Sequence, residues 1–446
     1  MPQQLSSPSR LWGTVTEILP GMIDVSGVSH AVGIGDSVQI EKFGQTLIGE
    51  VMSVSEGCVK VLMYSSPESV RIGDRAYVSD QDQIEIGDHW LGALVNYRGE
   101  VQMRRAPSPP GRNPIMVPLQ CPALPPSERK PMGTRLSTGL NVTDTLLPIC
   151  RGQRIGLFAG SGVGKSTLLG RLAGGMSADR IVIALIGERS REVQEFIDEV
   201  LPSDILPKTT IVAATASEPP GAKKRAALCA MAAAEYYRDQ GHSVLFLFDS
   251  LTRFAEAHRE TALMAGETPA LNAFPPSTVR VVSELAERTG PGTRTGGDIT
   301  AIFSVLVAGS DFEEPVADMV RGILDGHIVL SRKIAERGRY PAIDVLRSVS
   351  RSLPKAATGD QNQLINTYRN LITTYDEIAP MVRAGLFEFG KDQSADVAYS
   401  LHPSLDQYLT ESSDGIETAF EYLKGLMMPA LELGASDPGK PPLEAA

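Results

Sequence analysis

The chain has few of the residues that mark secreted, metal-binding or membrane-spanning proteins. Its 446 residues include only four cysteines, and these lack the paired spacing of a zinc site or a disulfide framework: Cys58, Cys121, Cys150 and Cys229. We therefore expect buried, reduced thiols. No apolar run is long enough to cross a bilayer, and the start, MPQQLSSPSR, lacks the apolar core of a signal peptide. These absences predict a cytoplasmic protein.

Positive charge is also in deficit. The 42 Lys and Arg residues are outnumbered by 53 Asp and Glu residues, which gives a formal net charge of -11. This balance argues against a protein whose main task is to coat nucleic acid. Apolar residues make up 42% and charged residues 21% of the chain, as is typical of globular proteins. Because the chain is too long for one ordinary core, it predicts two or three domains.

Short β-branched runs cut by glycines fill the chain from Leu11 to about Trp90, and they predict a small antiparallel β-barrel within an N-terminal domain of residues 1–95. The runs are GTVTEIL, MIDVSGV, DSVQIEKFG, LIGEVMSVSEGCVKVLM and AYVSDQDQIEIG. Barrels of this size also bind RNA. The basic residues of this one, however, are outnumbered by acidic residues, which disfavours that function: Arg10, Lys42, Lys60, Arg71 and Arg75.

The middle of the chain, residues 96–352, predicts an α/β nucleotide-binding domain. Its first part, 105–133, is so rich in proline that it excludes helix and central strand and predicts an extended linker. Apolar strands then alternate with helical stretches such as AALCAMAAAEYYRDQ, which predicts a parallel sheet covered by helices on both faces. The predicted strands are IVIALIG, TTIVAAT, SVLFLFDS and ITAIFSVLVAG.

Strand signals stop at about Leu353, and residues 353–446 predict an all-α C-terminal domain. Three stretches carry apolar residues at helical spacing: NQLINTYRNLITTYDEIAPMV, SADVAYSLHPSLDQYLT and IETAFEYLKGLM. The tail LGASDPGKPPLEAA looks frayed. The predicted order is therefore barrel, α/β domain and helical domain.

The stretch RIGLFAGSGVGKSTLL predicts a phosphate-binding loop between a strand and a helix. Glycines let consecutive backbone N–H groups point at phosphate oxygens, and the helix N-terminus adds positive potential. Lys165 is suited to reach the β- and γ-phosphates and Ser166 to hold Mg²⁺. The alternative is a glycine-rich turn that binds nothing. The nucleotide-binding candidates are Ala159, which replaces the usual glycine, Gly160, Ser161, Gly162, Val163, Gly164, Lys165, Ser166 and Thr167.

Two carboxylates follow predicted strands. Asp249 ends the apolar run VLFLFD, which suits a buried parallel strand that delivers a magnesium ligand to the sheet edge, although many such residues only cap turns. Glu188 follows IVIALIG, at the end of a strand expected to neighbour the phosphate loop. There it could polarise the attacking water, and Arg189 could contact the developing charge. The alternative for this segment is a charged helix start.

At these motifs the chain resembles a known family. GLFAGSGVGKSTLL, LIGERSREVQEFI, LFDSLTRFAEAHRE and EPVADMVRGILDGHIVLSRKIAERGRYPAIDVLRSVSR, in this order, resemble the ATPase of flagellar and type III protein export. That family is similar to the catalytic subunit of rotary ATP synthases. The resemblance covers nearly the whole chain, and ILDGHIVLSR is its most discriminating part. Departures are VLMYSS after the barrel and Asn96, where relatives usually have Asp.

The resemblance implies an ATP and Mg²⁺ site. It makes Lys165 and Ser166 the phosphate and magnesium ligands, and Asp249 the second magnesium residue. It makes Glu188 the general base, and Arg189 matches the arginine beside that base. These roles are expectations that come from the family.

The same resemblance assigns two more residues. Tyr340 matches the tyrosine that packs on adenine, whereas the residues alone favour a half-buried aromatic before a proline turn. Arg351 matches the arginine finger that enters the site of a neighbouring subunit, whereas SVSR alone would indicate a surface charge. An arginine supplied by a neighbour would make turnover depend on assembly.

The resemblance implies a Mg-dependent ATPase, a homohexamer that couples hydrolysis to protein unfolding and export. The implied partners are a negative regulator or stator-like protein at the N-terminal domain, a coiled-coil stalk in the ring pore, chaperone–substrate complexes and a membrane export gate. No nucleic acid is expected, and the implied location is the cytoplasm beside the inner membrane. The alternatives are an injectisome ATPase, a hexameric RNA helicase, a non-catalytic ring subunit and a synthase catalytic subunit.

Overall fold

The computed structural model describes residues 11–79, 82–107, 113–269, 274–307 and 314–435. In chain order it contains a closed β-barrel, a mixed ten-stranded sheet flanked by helices, and a group of C-terminal helices. This confirms the predicted fold class. Parts of the predicted linker and strand ITAIFSVLVAG, at 108–112 and 308–309, lie outside the described residues, as do residues 1–10 and 436–446.

Six antiparallel strands close the barrel in the order β1-β2-β5-β4-β3-β6. Val15, Val25, Val38, Val51 and Val61 point inward and are fully buried or nearly so, which explains the predominance of β-branched residues. The strands are β1 (Trp12–Leu19), β2 (Met22–Ser26), β3 (Ser37–Lys42), β4 (Gln45–Ser55), β5 (Cys58–Met63) and β6 (Arg75–Ser79).

Fourteen further strands follow in the described residues. They are β7 (Gln83–Ile86), β8 (Ala93–Val95), β9 (Val101–Arg104), β10 (Ile115–Pro118), β11 (Arg135–Leu136), β12 (Ile149–Cys150), β13 (Arg154–Ala159), β14 (Arg180–Glu188), β15 (Thr209–Thr215), β16 (Ser243–Asp249), β17 (Gly290–Pro291), β18 (Asp298–Leu306), β19 (Gly326–Leu330) and β20 (Ile343–Ser350). Two pairs form small sheets of their own, β7 with β10 and β11 with β12.

The central sheet has the order β20-β19-β13-β18-β16-β14-β15-β8-β9, and β17 pairs with β18. The strands from β19 to β8 are parallel, as predicted, whereas β20, β9 and β17 add antiparallel pairs at the margins. The strand β14 is not the neighbour of β13, because β18 and β16 lie between them. The expectation that the strand of Glu188 neighbours the phosphate loop is therefore wrong at the level of strand order.

Helices cover both faces of this sheet. On β14, Val182, Ala184 and Ile186 pack toward one helical layer, while Ile183 and Leu185 pack toward the other. The helices are α1 (Asn141–Asp144), α2 (Lys165–Gly175), α3 (Ser190–Glu195), α4 (Pro220–Asp239), α5 (Leu251–Met264), α6 (Ser277–Glu287), α7 (Pro315–Ile323), α8 (Arg332–Ala335), α9 (Gly359–Arg383), α10 (Gln393–Tyr408) and α11 (Ile416–Ala435).

Two predicted segments differ from the structure. Gln83–Ile86, which the sequence placed in the barrel, lies outside the closed barrel and pairs with Ile115–Pro118 of the proline-rich segment. Ala93–Val95, inside the predicted barrel domain, pairs with β15 in the central sheet. The thiols also differ from expectation, because Cys58 and Cys121 are only partly buried.

The C-terminal helices confirm the predicted all-α region. Helix α9 begins with a capping box, in which Thr358 and Gln361 exchange side-chain and backbone hydrogen bonds. Helix α10 packs along α9, and the rings of Tyr375 and His402 stack between them. Helix α11 continues to Ala435, three residues into the tail that was expected to fray. No helix in the described ranges is long and apolar enough to cross a bilayer.

Candidate nucleotide-binding and hydrolysis site

The glycine-rich loop joins β13 to α2, in the order that phosphate binding requires. Ala159 is the buried last residue of β13, and its carbonyl accepts a hydrogen bond from the Val307 amide at 3.0 Å. Alanine is tolerated there because the residue is still in the strand. Gly164 has a φ of 86°, in the left-handed region, and stands directly before the first helical residue. This turn aims the N-terminus of α2 at the cleft.

The loop forms the floor of a cleft of about 940 Å³. Ser161, Gly162, Ser166 and Thr167 are exposed to it, whereas Val163 is buried beneath. This volume lies at the upper end of the range of small-molecule sites, about 300–1,000 Å³. The loop thus presents backbone and hydroxyl groups to a cavity large enough for a nucleotide.

Lys165 lies between two carboxylates inside this cleft. Its Nζ is 3.3 Å from Oε1 of Glu188, and it also pairs closely with Asp249. The Ser304 hydroxyl donates a second hydrogen bond to Asp249. Burial alone lowers the pKa of Lys165, but the charges of Asp249 and Glu188 outweigh burial and raise it. The lysine is therefore a fixed cation, positioned to bind phosphate oxygens.

Glu188 has the electrostatic character of a general base. Burial is the main cause that raises its pKa, the nearby charge of Asp249 raises it further, and the pKa reaches about 7 although Lys165 opposes the rise. A carboxyl group with a pKa near neutrality can accept a proton from water at physiological pH. The preceding residue, Gly187, has a φ of 76° and lies against Arg253, so the chain turns sharply where it presents Glu188.

The donor set fits a magnesium ion that arrives with a nucleotide. The described residues contain no group of three or more His, Cys, Asp or Glu side chains that could hold a metal without further ligands. Asp249 and Glu188 nevertheless place two carboxyl groups against Lys165, and the Ser166 hydroxyl is exposed at the start of α2. Mg²⁺ usually takes one or two protein oxygens together with phosphates and waters, which matches this arrangement.

Comparison with known proteins gives two matching family models. Residues 139–350 match the nucleotide-binding domain of the ATP synthase alpha/beta family, and residues 357–427 match the T3SS EscN ATPase C-terminal domain. The flagellum-specific ATP synthase of Treponema pallidum is 40% identical, with 92% of this chain and 90% of that protein covered. The flagellum-specific ATP synthase of Caulobacter vibrioides is 39% identical, with 91% and 93% covered.

A solved structure agrees with these matches. The assembled ATPase EscN from the type III secretion system of enteropathogenic E. coli superposes with a TM-score of 0.84 at 35% identity, covering 94% of this chain and 99% of that one. The chain belongs to the family of flagellum-specific and type III secretion ATPases. This confirms the resemblance that the motifs predicted, and it makes the chain an ATPase.

In this ATPase, Arg189 lines the cleft, and Tyr340 lies beside the phosphate loop at its floor. The Arg189 side chain is 82% exposed, lines the cleft and lies 3.5 Å from Glu192. Tyr340 is 49% exposed, and its ring stands 3.2 to 3.3 Å from where a Cβ on Gly164 would be. The ring therefore stands directly against the phosphate loop, where it can contact a bound nucleotide.

Arg351 lies far from the cleft of its own chain. Its amide donates to the Asp325 carbonyl, and the Asp325 amide donates to the carbonyl of Arg154, the first residue of β13. The phosphate loop follows the other end of β13, so the six residues of this strand, about 17 Å in length, separate Arg351 from it. Arg351 is exposed, and its Nη2 donates to the Arg321 carbonyl. It cannot complete the pocket of its own chain.

The sequence reasoning missed several residues of the cleft: Lys223, Thr252, Arg253, Glu256 and Glu260. Four of them lie on α5, which begins two residues after Asp249. Because a helix that directly follows a strand with a site carboxylate starts at the same edge of the sheet, this position could have indicated them. Lys223 lies on α4 and donates to the Ala216 carbonyl, while the Ala216 amide donates to the Glu188 carbonyl. No local pattern indicates that contact.

Proposed function

We propose that this chain is the Mg-dependent ATPase of a flagellar protein export apparatus, working as a homohexamer whose hydrolysis drives the unfolding and export of protein substrates. The observation that carries this proposal is the contact of Lys165 with Glu188 and Asp249 at the phosphate loop. The names of the relatives, flagellum-specific ATP synthases, support the flagellar assignment.

Each residue of the cleft has its own proposed role in ATP hydrolysis. The loop amides and Lys165 bind the phosphates, and Glu188 orients a water and accepts its proton as the γ-phosphate is attacked. Ser166 and Asp249 would hold Mg²⁺, which would neutralise phosphate charge when bound. Arg189 contacts charge that develops at the γ-phosphate. Tyr340 packs on the adenine ring.

The position of Arg351 supports the proposed ring. Because this arginine is exposed and is separated from its own phosphate loop by the length of β13, it can act as a finger only in the pocket of a neighbouring subunit. A second cation supplied in this way stabilises the charge of the transition state and makes hydrolysis depend on assembly. The relative EscN, which was solved as an assembled ATPase, supports this arrangement.

The proposed partners extend along the ring axis. EscN was also solved in complex with its central stalk EscO, which supports a coiled-coil stalk in the pore of this ATPase. A regulator at the barrel, chaperone–substrate complexes at the C-terminal helices and a membrane export gate complete the proposal. The proposed location of the ring is the cytoplasm, against the inner membrane.

A concentration series tests the ring. If neighbours complete each pocket, specific ATPase activity rises with protein concentration until the rings are fully assembled. Sedimentation under the same conditions shows whether the rise follows assembly. A specific activity that stays flat while the particle grows would contradict the shared pocket.

The second candidate is an injectisome ATPase, which the match of residues 357–427 to the EscN C-terminal domain favours. Deletion of the gene distinguishes the two. Loss of motility, with unchanged secretion of effectors and unchanged growth on respiratory substrates, supports the flagellar assignment. Retained motility with lost effector secretion supports the injectisome.

A helicase and a non-catalytic ring subunit would each behave differently in solution. A helicase would hydrolyse ATP faster when RNA is added. A non-catalytic ring subunit would bind ATP without hydrolysing it. The contact of Glu188 with Lys165 disfavours the non-catalytic subunit, because such a subunit lacks the base.

A further inference from the structure

A buried arginine organises the segment that carries Tyr340. Arg339 directly precedes Tyr340, and its side chain is only 10% exposed. Its Nη2 donates to the Ile343 carbonyl at 2.9 Å, and its Nη1 donates to the Pro341 carbonyl at 3.4 Å. The guanidinium therefore folds the segment 339–343 around itself.

The same guanidinium reaches the C-terminal helices. Its Nε is 3.0 Å from Oδ1 of Asp406, which lies near the end of α10 and is 43% exposed. Burial is the main cause that lowers the pKa of Arg339, and the charge of Asp406 acts against that shift. Asp406 is the only ion-pair partner of Arg339 among the described residues. The pair thus joins α10 to the segment that carries Tyr340.

The other side of this segment faces the phosphate loop. The Tyr340 ring lies against Gly164, so the contacts run from α10 through Arg339 and the Tyr340 backbone to the loop that binds phosphate. Tyr340 is itself 49% exposed, and we infer that its neighbours along the chain, rather than packing around its ring, determine where the ring stands. The Arg339 contacts with the Pro341 and Ile343 carbonyls constrain those neighbours.

We propose that Asp406 is a positioning residue for nucleotide binding: through Arg339 it holds the Tyr340 ring where adenine stacks, and it thereby links the C-terminal helices to nucleotide affinity. This inference rests on the proposed adenine contact of Tyr340. By reciprocity, a partner that moves α10 changes the affinity for the nucleotide, and nucleotide binding changes the affinity for that partner.

Loss of the Asp406 carboxylate should weaken only the binding of the adenine part of the nucleotide. Without the Asp406 carboxylate, the Arg339 guanidinium loses its ion-pair partner, and the segment 339–343 loses an attachment to α10. The Tyr340 ring must then be ordered when the nucleotide binds, which weakens binding by about 2- to 12-fold for one immobilised side chain. Contacts to the phosphates at Lys165 are unaffected, because they arise from the loop and from α2.

The experiment uses the full chain and two probes, Mg-ADP and Mg-tripolyphosphate, which shares the phosphates but has no base. Titration calorimetry measures both dissociation constants for the wild type, Asp406→Asn and Tyr340→Ala. We expect Asp406→Asn to weaken Mg-ADP by about 2- to 12-fold and to leave Mg-tripolyphosphate unchanged. In steady-state hydrolysis the same variant raises KM for ATP and leaves kcat close to that of the wild type.

Asp376→Asn is the matched control. It removes the same charge from an exposed position of α9, where the described residues provide no ion pair for it. It is expected to leave both dissociation constants unchanged. A double-mutant cycle with Arg339→Gln adds a second check, because Asp406→Asn has little further effect once Arg339 is absent.

The outcomes separate the two levels of the argument. If Tyr340→Ala leaves the ratio of the Mg-ADP and Mg-tripolyphosphate dissociation constants unchanged, the proposed adenine contact fails, and the inference fails with it. If Tyr340→Ala weakens Mg-ADP but Asp406→Asn does not, only the positioning role is overturned. An equal loss for both probes in Asp406→Asn indicates general destabilisation and also overturns the positioning role.

Discussion

If Arg351 acts only in a neighbouring pocket, two inactive variants should restore each other. Arg351→Ala keeps an intact phosphate loop but offers no finger, and Lys165→Ala offers a finger but has no functional loop. Each homomeric ring lacks one component at every interface. Arg351→Ala alone is expected to lose about 10³-fold or more in turnover, as for arginine fingers in general. A mixed ring, in contrast, contains complete pockets.

The size of the recovery follows from the geometry. Arg351 is separated from its own loop by the six residues of β13, about 17 Å, so no subunit completes its own pocket. In a random one-to-one ring, a pocket is complete when an Arg351→Ala subunit meets a Lys165→Ala neighbour on the correct side. About a quarter of the interfaces satisfy this condition, so about a quarter of wild-type activity is the upper limit if pockets act independently.

The assay is steady-state ATP hydrolysis by mixed rings, isolated by a different affinity tag on each variant so that co-assembly is certain. Rings of wild type and Lys165→Ala serve as the control, because half of their pockets are complete. If isolated mixed rings are no more active than the average of the two homomeric variants, the finger does not act between subunits. Full activity of Arg351→Ala alone would refute the reasoning as well.

The remaining predictions concern the base, the loop and the fold. Glu188→Gln should retain Mg-ATP binding and lose about 10²-fold or more in turnover. Wild-type kcat/KM should rise with pH through about 7, because only the ionised carboxylate of Glu188 accepts a proton. Burial and then the charge of Asp249 raise the pKa of this group to about 7. A flat pH profile would count against the base. Gly164→Ala should weaken nucleotide binding in a fluorescence titration by about 5- to 30-fold, since φ is 86° and the new Cβ would crowd the Tyr340 ring. Undiminished binding would contradict this interpretation of the loop. Asp82→Asn should reduce the free energy of unfolding by about 3–5 kcal/mol in a denaturant titration, because Arg225 and Asp82 are 3% and 5% exposed and the variant leaves the cation without its partner. A change below about 1 kcal/mol would show that water reaches the pair.

The local elements were predictable because each depends on residues close together in the chain. β-branched runs between glycines became the barrel strands, and VLFLFD became the buried strand that ends at Asp249. The helical spacing after Leu353 became α9, α10 and α11. The order of strand, glycines, Lys165 and helix needed no tertiary information either.

The errors arose where pairing connects distant segments. Gln83–Ile86 has the same alternating pattern as a barrel strand, but its partner, Ile115–Pro118, lies beyond two strands of the central sheet. Likewise, no local pattern reveals that β18 and β16 separate β13 from β14. Strand order is a property of long-range pairing, and a strand's own residues encode only its length and the face that it buries.

The sequence by itself determined the elements, the phosphate loop and the family, because these are written in contiguous residues and in an ordered series of motifs. Only the tertiary structure decided that Lys165 meets Glu188 and Asp249, and that Arg339 joins Asp406 of α10 to the segment of Tyr340. It alone located Arg351 at the opposite edge of the sheet from its own loop. The physical reason is that such contacts join residues tens of positions apart, and the packing of the sheet and helices, which no local pattern encodes, sets their distances.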